Sequence, residues 1–187
     1  MGKIFLTSDL HLNHDRQFIW GPRGFNSIWE MNDAIINNWN SLVSMEDDIY
    51  VLGDLMLGNN EAGIALIKQL KGQIHIVRGN HDTDTRMECY NQCYNIIEIT
   101  EGQYLKYNGY HFYLCHYPAM TSNLEKGPEL KKHLINLFGH THQTTNFYND
   151  IPYMYHVGLD SHNCYPVLID NIIEDITNET ERCIKFL

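Results

Sequence analysis

Three short apolar runs, over 3–7, 49–52 and 74–77, alternate with two helical patterns, and each run stops at a cluster of Asp, Asn or His. That alternation constrains the fold more than any other feature. Apolar runs of four or five residues read as strands buried in a sheet. Between the first two, Ile28, Met31, Ile35, Ile36, Trp39, Leu42 and Val43 share one helical face, and Ser27 with Glu30 forms a capping box. Ile64, Ile67 and Leu70 predict a second helix over 60–70, closed by Lys71 and Gly72. Strand, helix, strand, helix, strand demands parallel pairing with helical crossovers.

The second half changes character. Strands are predicted over 95–100 and 103–107, and Asn108-Gly109 marks a tight turn into a strand over 110–115. Further strands are expected over 134–138, 153–157 and 167–169, with a closing helix over 170–185. The 187 residues suit one core, so a single layered α/β domain over 1–187 is expected, with a mixed sheet system.

Polar clusters fall where these strands end. Asp9 and His11 follow the first, Asp54 the second, and Asn80, His81 and Asp82 the third; His116 follows the strand over 110–115, and His140 and His142 follow Phe138. Carboxyl ends of parallel strands converge on one crevice, which is where ligands bind in such sheets. Converging Asp and His groups without matching Lys or Arg would repel one another or stay unsatisfied. Divalent cations resolve that conflict. Imidazole suits zinc, iron, nickel and manganese, and carboxylate or amide oxygens suit harder ions. Asp9 with His11, and His140 with His142, can each reach one ion from a loop. Asp54 stands alone, which suits a bridging carboxylate. Seven ligands are too many for one tetrahedral ion and about right for two with open positions.

The ordered set Asp9-x-His11, Gly53-Asp54, Gly79-Asn80-His81-Asp82, His116 and Gly139-His140-x-His142 resembles the calcineurin-like metallophosphoesterases, small single-domain bacterial and phage members in particular. The resemblance implies a sandwich of two mixed β-sheets flanked by helices. It implies one metal on Asp9, His11, Asp54 and His142, and a second on Asp54, Asn80, His116 and His140. His81 corresponds to the catalytic histidine and Asp82 to the carboxylate that orients it. The implied reaction is hydrolysis of a phosphoester by a hydroxide bridging two divalent ions, manganese favoured among Mn, Fe, Zn and Ni. A small phosphodiester, nucleotide-derived, is the expected substrate. A phosphomonoester is the alternative, as is a protein-binding scaffold that has lost catalysis. The Asp-Arg-Gly block of the Ser/Thr protein phosphatases is missing after Gly53-Asp54.

His14, three residues past His11, and Arg23 are expected to touch substrate; Arg16 and Arg78 also stand near the site segments. Trp20, Trp29, Tyr117 and Tyr165 are candidate walls for a nucleobase. His75, His111, His133, His156 and His162 belong to no motif and are expected to be incidental. Lys and Arg total 13 against 23 Asp and Glu, a net charge of -10, which argues against long nucleic acid and anionic membrane as partners. No segment reads as a membrane span or a secretory leader. The five cysteines form no CxxC, and Cys89 and Cys93 read as one helical face; reduced thiols in the cytoplasm are expected. Aromatics over 148–155 are expected at the surface, where they would support an oligomer.

Overall fold

The computed structural model describes residues 2–121 and 129–185. The first sheet pairs β1 (Ile4–Thr7) in parallel with β2 (Asp48–Val51), β2 with β3 (Gln73–Val77), and β3 with β4 (Ile96–Thr100). The second holds β5 (Gln103–Tyr107), β6 (Tyr110–Leu114), β7 (Leu134–Phe138) and β8 (Met154–His156) in that order. Its first pair is antiparallel and the other two are parallel. Antiparallel β9 (Val167–Leu168) completes the first sheet beside β1. Both sheets are therefore mixed, and helices flank them.

Strand periodicity divides the apolar side chains between two cores. Phe5, Ile49, Val51, Ile74 and Ile76 turn toward α2 (Ile28–Leu42) and α3 (Asn60–Ile67), where they meet Met31, Ile35, Trp39 and Ile67. Leu6, Tyr50 and Val77 turn the other way and pack with Phe112, Leu114, Ile135 and Leu137 of the second sheet. The closing helix α5 (Ile169–Lys185) adds Ile172 and Ile176 to that second core. Each such side chain contributes about 1.5–3 kcal/mol on burial. Ser27 caps α2 as its sequence implies, its side chain accepting from the Glu30 amide at 3.2 Å.

The two sheets meet at their functional rim. β1, β2 and β3 end on the same side as β6, β7 and β8. Ser8 bridges to Gly158, the Leu159 amide donates to Ser8 O at 3.2 Å, and the Gly139 amide donates to His116 O at 3.0 Å. Six strand ends thus open onto one crevice.

The structure differs from the sequence reading in detail. Helices α1 (Gln17–Trp20) and α4 (Asp84–Tyr90) lie where no element is predicted, because neither is long enough to show an apolar period. Cys93 falls past the end of α4, its amide bonded to Tyr90 O, so it does not share a helical face with Cys89. α3 stops at Ile67, and Gly72 turns later, with φ at 92°. Tyr153 and Tyr155 are buried, so residues 148–155 form no exposed aromatic patch for self-association.

Candidate metal centre

The ligand-bearing loops are unusual backbone. Asp9, His11, Asp54, His140 and His142 all have left-handed φ, between 49° and 67°. Non-glycine residues rarely adopt that region, and such strain concentrates at functional sites. Cross-loop bonds hold it: the Asp9 amide donates to Gly53 O and the His11 amide to Asp54 O, each at 3.0 Å. Gly53 and Gly79 explain two of the sequence blocks. A side chain on Gly53 would collide with the His116 ring, and one on Gly79 with the Asp54 carboxylate.

Two clusters result. In the first, His11 Nε2 and His142 Nε2 lie 3.2 Å apart and both face Asp9 Oδ1, at 3.8 and 3.7 Å. Asp9 Oδ2 accepts from Ser8 Oγ at 2.7 Å and from the His140 amide at 2.8 Å. Asp9 Oδ1, by contrast, is buried with no hydrogen-bond partner. An orphaned carboxylate oxygen facing two imidazole nitrogens fits a cation, since such a group left bare is costly. In the second cluster Asn80 Oδ1 lies 2.8 Å from His116 Nε2 and 2.9 Å from His140 Nδ1. Asp54 Oδ2 stands between the clusters, 3.8 Å from His11 Nε2 and 3.6 Å from His116 Nε2. Asp9 with His11 and His142, and Asp9 with Asp54 and His116, are groups that could hold a metal ion.

The electrostatics suit that role. Burial, reinforced by His142 and Arg23, pushes the His11 imidazole well below its usual range, and burial with His116 lowers His140. Both are thereby kept neutral, the state in which imidazole binds metal. Burial raises the Asp54 carboxyl although His116 opposes it. His142 moves the other way, because its Nδ1 is bonded to Asp160 Oδ2 at 2.9 Å.

Residues 3–158 match the Calcineurin-like phosphoesterase superfamily domain. The chain belongs to that superfamily. It is 33% identical over 185 residues to an uncharacterized protein of Methanocaldococcus jannaschii, covering 93% of this chain and 91% of the relative. The Gene 66 protein of Mycobacterium phage L5 is 31% identical over 86 residues, covering 44% of this chain and 41% of the phage protein. A protein of unknown function from Aquifex aeolicus has a similar fold, with a TM-score of 0.70, 21% identity, and coverage of 93% and 99% of the two chains.

The seven expected ligands come together, while the side chains of Arg23 and Asp82 are bonded to other partners. Arg23 is not among the residues that line the cavity beside the clusters. Its side chain is only 2% exposed, pairs with Asp160 through Nε at 2.9 Å and Nη2 at 3.0 Å, and donates to the Asp9 and Leu10 carbonyls. Among the described residues, the Asp82 carboxylate bonds to groups other than the His81 ring. Its Oδ2 accepts from the Asp54 and Gly79 amides at 2.8 and 2.9 Å, and its Oδ1 from Tyr90 Oη at 2.7 Å. Asp82 thus ties the β2 and β3 loops together and supports Asp54. The His81 ring is half-exposed, with Nε2 4.0 Å from Asp54 Oδ2, and its amide donates to Asp54 Oδ1 at 2.9 Å.

His14 lines the pocket beside His11, its Nδ1 3.2 Å from His11 Nδ1. Tyr117 edges the second cluster, its ring 5.0 Å from His116 and 4.8 Å from His140. Trp20 packs on the helical-side core, while Trp29 and Tyr165 are exposed. Arg16 is exposed, with Nη1 3.5 Å from Asp15 O, and Arg78 pairs with Asp84 and Glu101. His75 pairs with Asp48 at 2.9 Å, His111 with Tyr104, and His133 stacks on Tyr153. Asp160 and Tyr90 escaped the sequence reading, since neither belongs to a motif. The one signal for Asp160 is its position two residues after Gly158, beyond another strand end.

Proposed function

We propose that the protein is a phosphoesterase that holds two divalent ions, manganese favoured, and hydrolyses a small phosphodiester. The observation that carries this reading is Asp54 Oδ2, which lies within 3.8 Å of an imidazole nitrogen from each cluster. Asp9, His11, Asp54 and His142 would hold one ion, and Asp54, Asn80, His116 and His140 the other. Bound divalent ions would lower the pKa of a coordinated water and neutralise charge on the phosphoryl oxygens.

The protein's own groups do the rest. The strained loops fix the donors before substrate arrives, so little reorganisation is needed. His81, with its ring on the open side of Asp54, delivers a proton to the departing alkoxide, a contribution typically worth about 10²–10⁴-fold. Asp82 and Tyr90 keep Asp54 in register. The net charge of -10 disfavours long nucleic-acid substrates. Among the described residues no helix is long and apolar enough to cross a membrane. A cytoplasmic setting with reduced thiols is part of this proposal.

Metal analysis followed by turnover of bis-p-nitrophenyl phosphate and p-nitrophenyl phosphate tests this reading. Two equivalents of metal and preferential diester turnover are expected, both lost in Asp54→Ala. Full metal content and near-normal rate in Asp54→Ala would sink the assignment. Monoester preference would change the substrate class. Bound metal without turnover of either ester would favour a scaffold.

A further inference from the structure

Beside the two clusters the crevice widens into a cavity of about 480 Å³ whose walls differ in chemistry. His11, His81, His142 and Asp160 give it polar lining and Phe18, Ile19 and Pro22 apolar lining, and the His14 ring contacts both the His11 and the Phe18 rings. Ile19 anchors the short helix α1 in the core, so the preceding Phe18 projects outward and is 69% exposed. Its ring meets the His14 ring edge-to-face, with centroids 5.8 Å apart at 89°. A lone exposed Phe is ordinary on a protein surface. Phe18 differs because it shares one cavity with His81, the group assigned to protonate the leaving oxygen.

The charge of this cavity limits what it can take. No Lys or Arg is among its lining residues, and its one carboxylate, Asp160, is already engaged by Arg23 and His142. A second phosphate or carboxylate on the substrate would meet no Lys or Arg along these walls. Its volume lies within the roughly 300–1,000 Å³ of small-ligand sites, and Phe18, Ile19 and Pro22 give it apolar surface beside the polar groups.

We propose that Phe18, Ile19, Pro22 and His14 form the subsite for the alcohol portion of the substrate, and that this portion is an uncharged planar ring. The proposal rests on the phosphoester reading above and adds to it the chemical class of the ester group. The ring would lie against Phe18 in a stacked or edge-to-face arrangement, while its phosphoryl group meets the Asp and His clusters.

Two phosphonates that the enzyme cannot cleave at carbon test this directly. Phenylphosphonate and methylphosphonate are titrated calorimetrically into the metal-loaded full chain, at a pH where both are dianions, with metal content measured for each variant. The wild type is expected to bind phenylphosphonate about 3- to 10-fold more tightly than methylphosphonate, the range an aromatic pair contributes. Phe18→Ala should close that gap and Phe18→Tyr should keep it. Equal binding of the two by the wild type, or a gap that survives in Phe18→Ala, overturns the subsite and leaves the phosphoester reading standing. Binding of neither by metal-loaded protein overturns both.

Discussion

His142 Nδ1 and Asp160 Oδ2 sit 2.9 Å apart, and the same carboxylate is gripped by Arg23, which reaches on to the Asp9 carbonyl at 2.7 Å. A metal-ligating imidazole usually gives its second nitrogen to such a carboxylate, which fixes its tautomer and orientation. Although burial alone would raise it, the bonds from His142 and Arg23 hold the Asp160 carboxyl well below its usual range. Asp160→Asn is therefore expected to weaken one metal equivalent by about 10–100-fold. It also strands a buried guanidinium, at about 3–5 kcal/mol. Calorimetric metal titration and urea unfolding separate the two effects. In the double variant Asp160→Asn with Arg23→Gln the stability should partly return while the metal deficit persists. Recovery of both together would mean that Asp160 acts on the fold alone.

Tyr90 and Asp82 make a second supporting pair. Tyr90→Phe leaves Asp82 Oδ1 buried without its 2.7 Å donor. A hydrogen bond to a charged group is worth about 1.5–3 kcal/mol, so urea unfolding should report a loss of that size. The variant should still bind metal, because the Asp82 bonds to the Asp54 and Gly79 amides remain. An unchanged unfolding midpoint would show that Asp82 needs no third donor.

The contrast between Asp82 and Asp54 shows what the sequence can and cannot convey. Asp54 follows an apolar run and a glycine, so its delivery to the crevice could be read from strand periodicity. The same holds for Asp9, Asn80, His116, His140 and His142, each set by a strand end. Asp82 sits beside His81 in the chain and was expected to orient it, but its side chain turns inward to amides 28 and three residues away. Arg23 likewise lies near the site in sequence and is drawn under it by Asp160, 137 residues later. Partners of that kind depend on how two sheets meet, which no local pattern encodes. The short α4 was missed for a related reason: seven residues held by Tyr90 and its tertiary contacts carry too little apolar period to be seen.

His81 offers a test in which stability and activity part company. Its side chain is 44% exposed, while its backbone amide supports Asp54 Oδ1. His81→Ala keeps that amide, so stability should change by no more than about 0.5 kcal/mol and metal content should hold. Turnover of an activated diester should fall by about 10²–10⁴-fold. Metal loss in His81→Ala would instead make the ring part of the metal site.

The last expectation concerns acid. His156 is buried on β8, with Nδ1 2.8 Å from Ser161 Oγ, whose hydroxyl donates to Gly158 O at 3.1 Å. Nε2 is buried with no hydrogen-bond partner among the described residues. Burial, helped by His162, pushes this imidazole down from 6.5 to about 3. The folded form thus stays neutral where the unfolded chain takes up a proton. Stability from this group is complete above the unfolded value, falls as pH drops from 6.5 toward 3, and changes no further below that. One proton of difference corresponds to at most about 1.4 kcal/mol per pH unit. Urea unfolding of metal-free protein across this window should show the decline, and His156→Phe, which keeps a ring but cannot protonate, should show a shallower one. Parallel pH profiles for the two proteins would mean that acid sensitivity arises elsewhere.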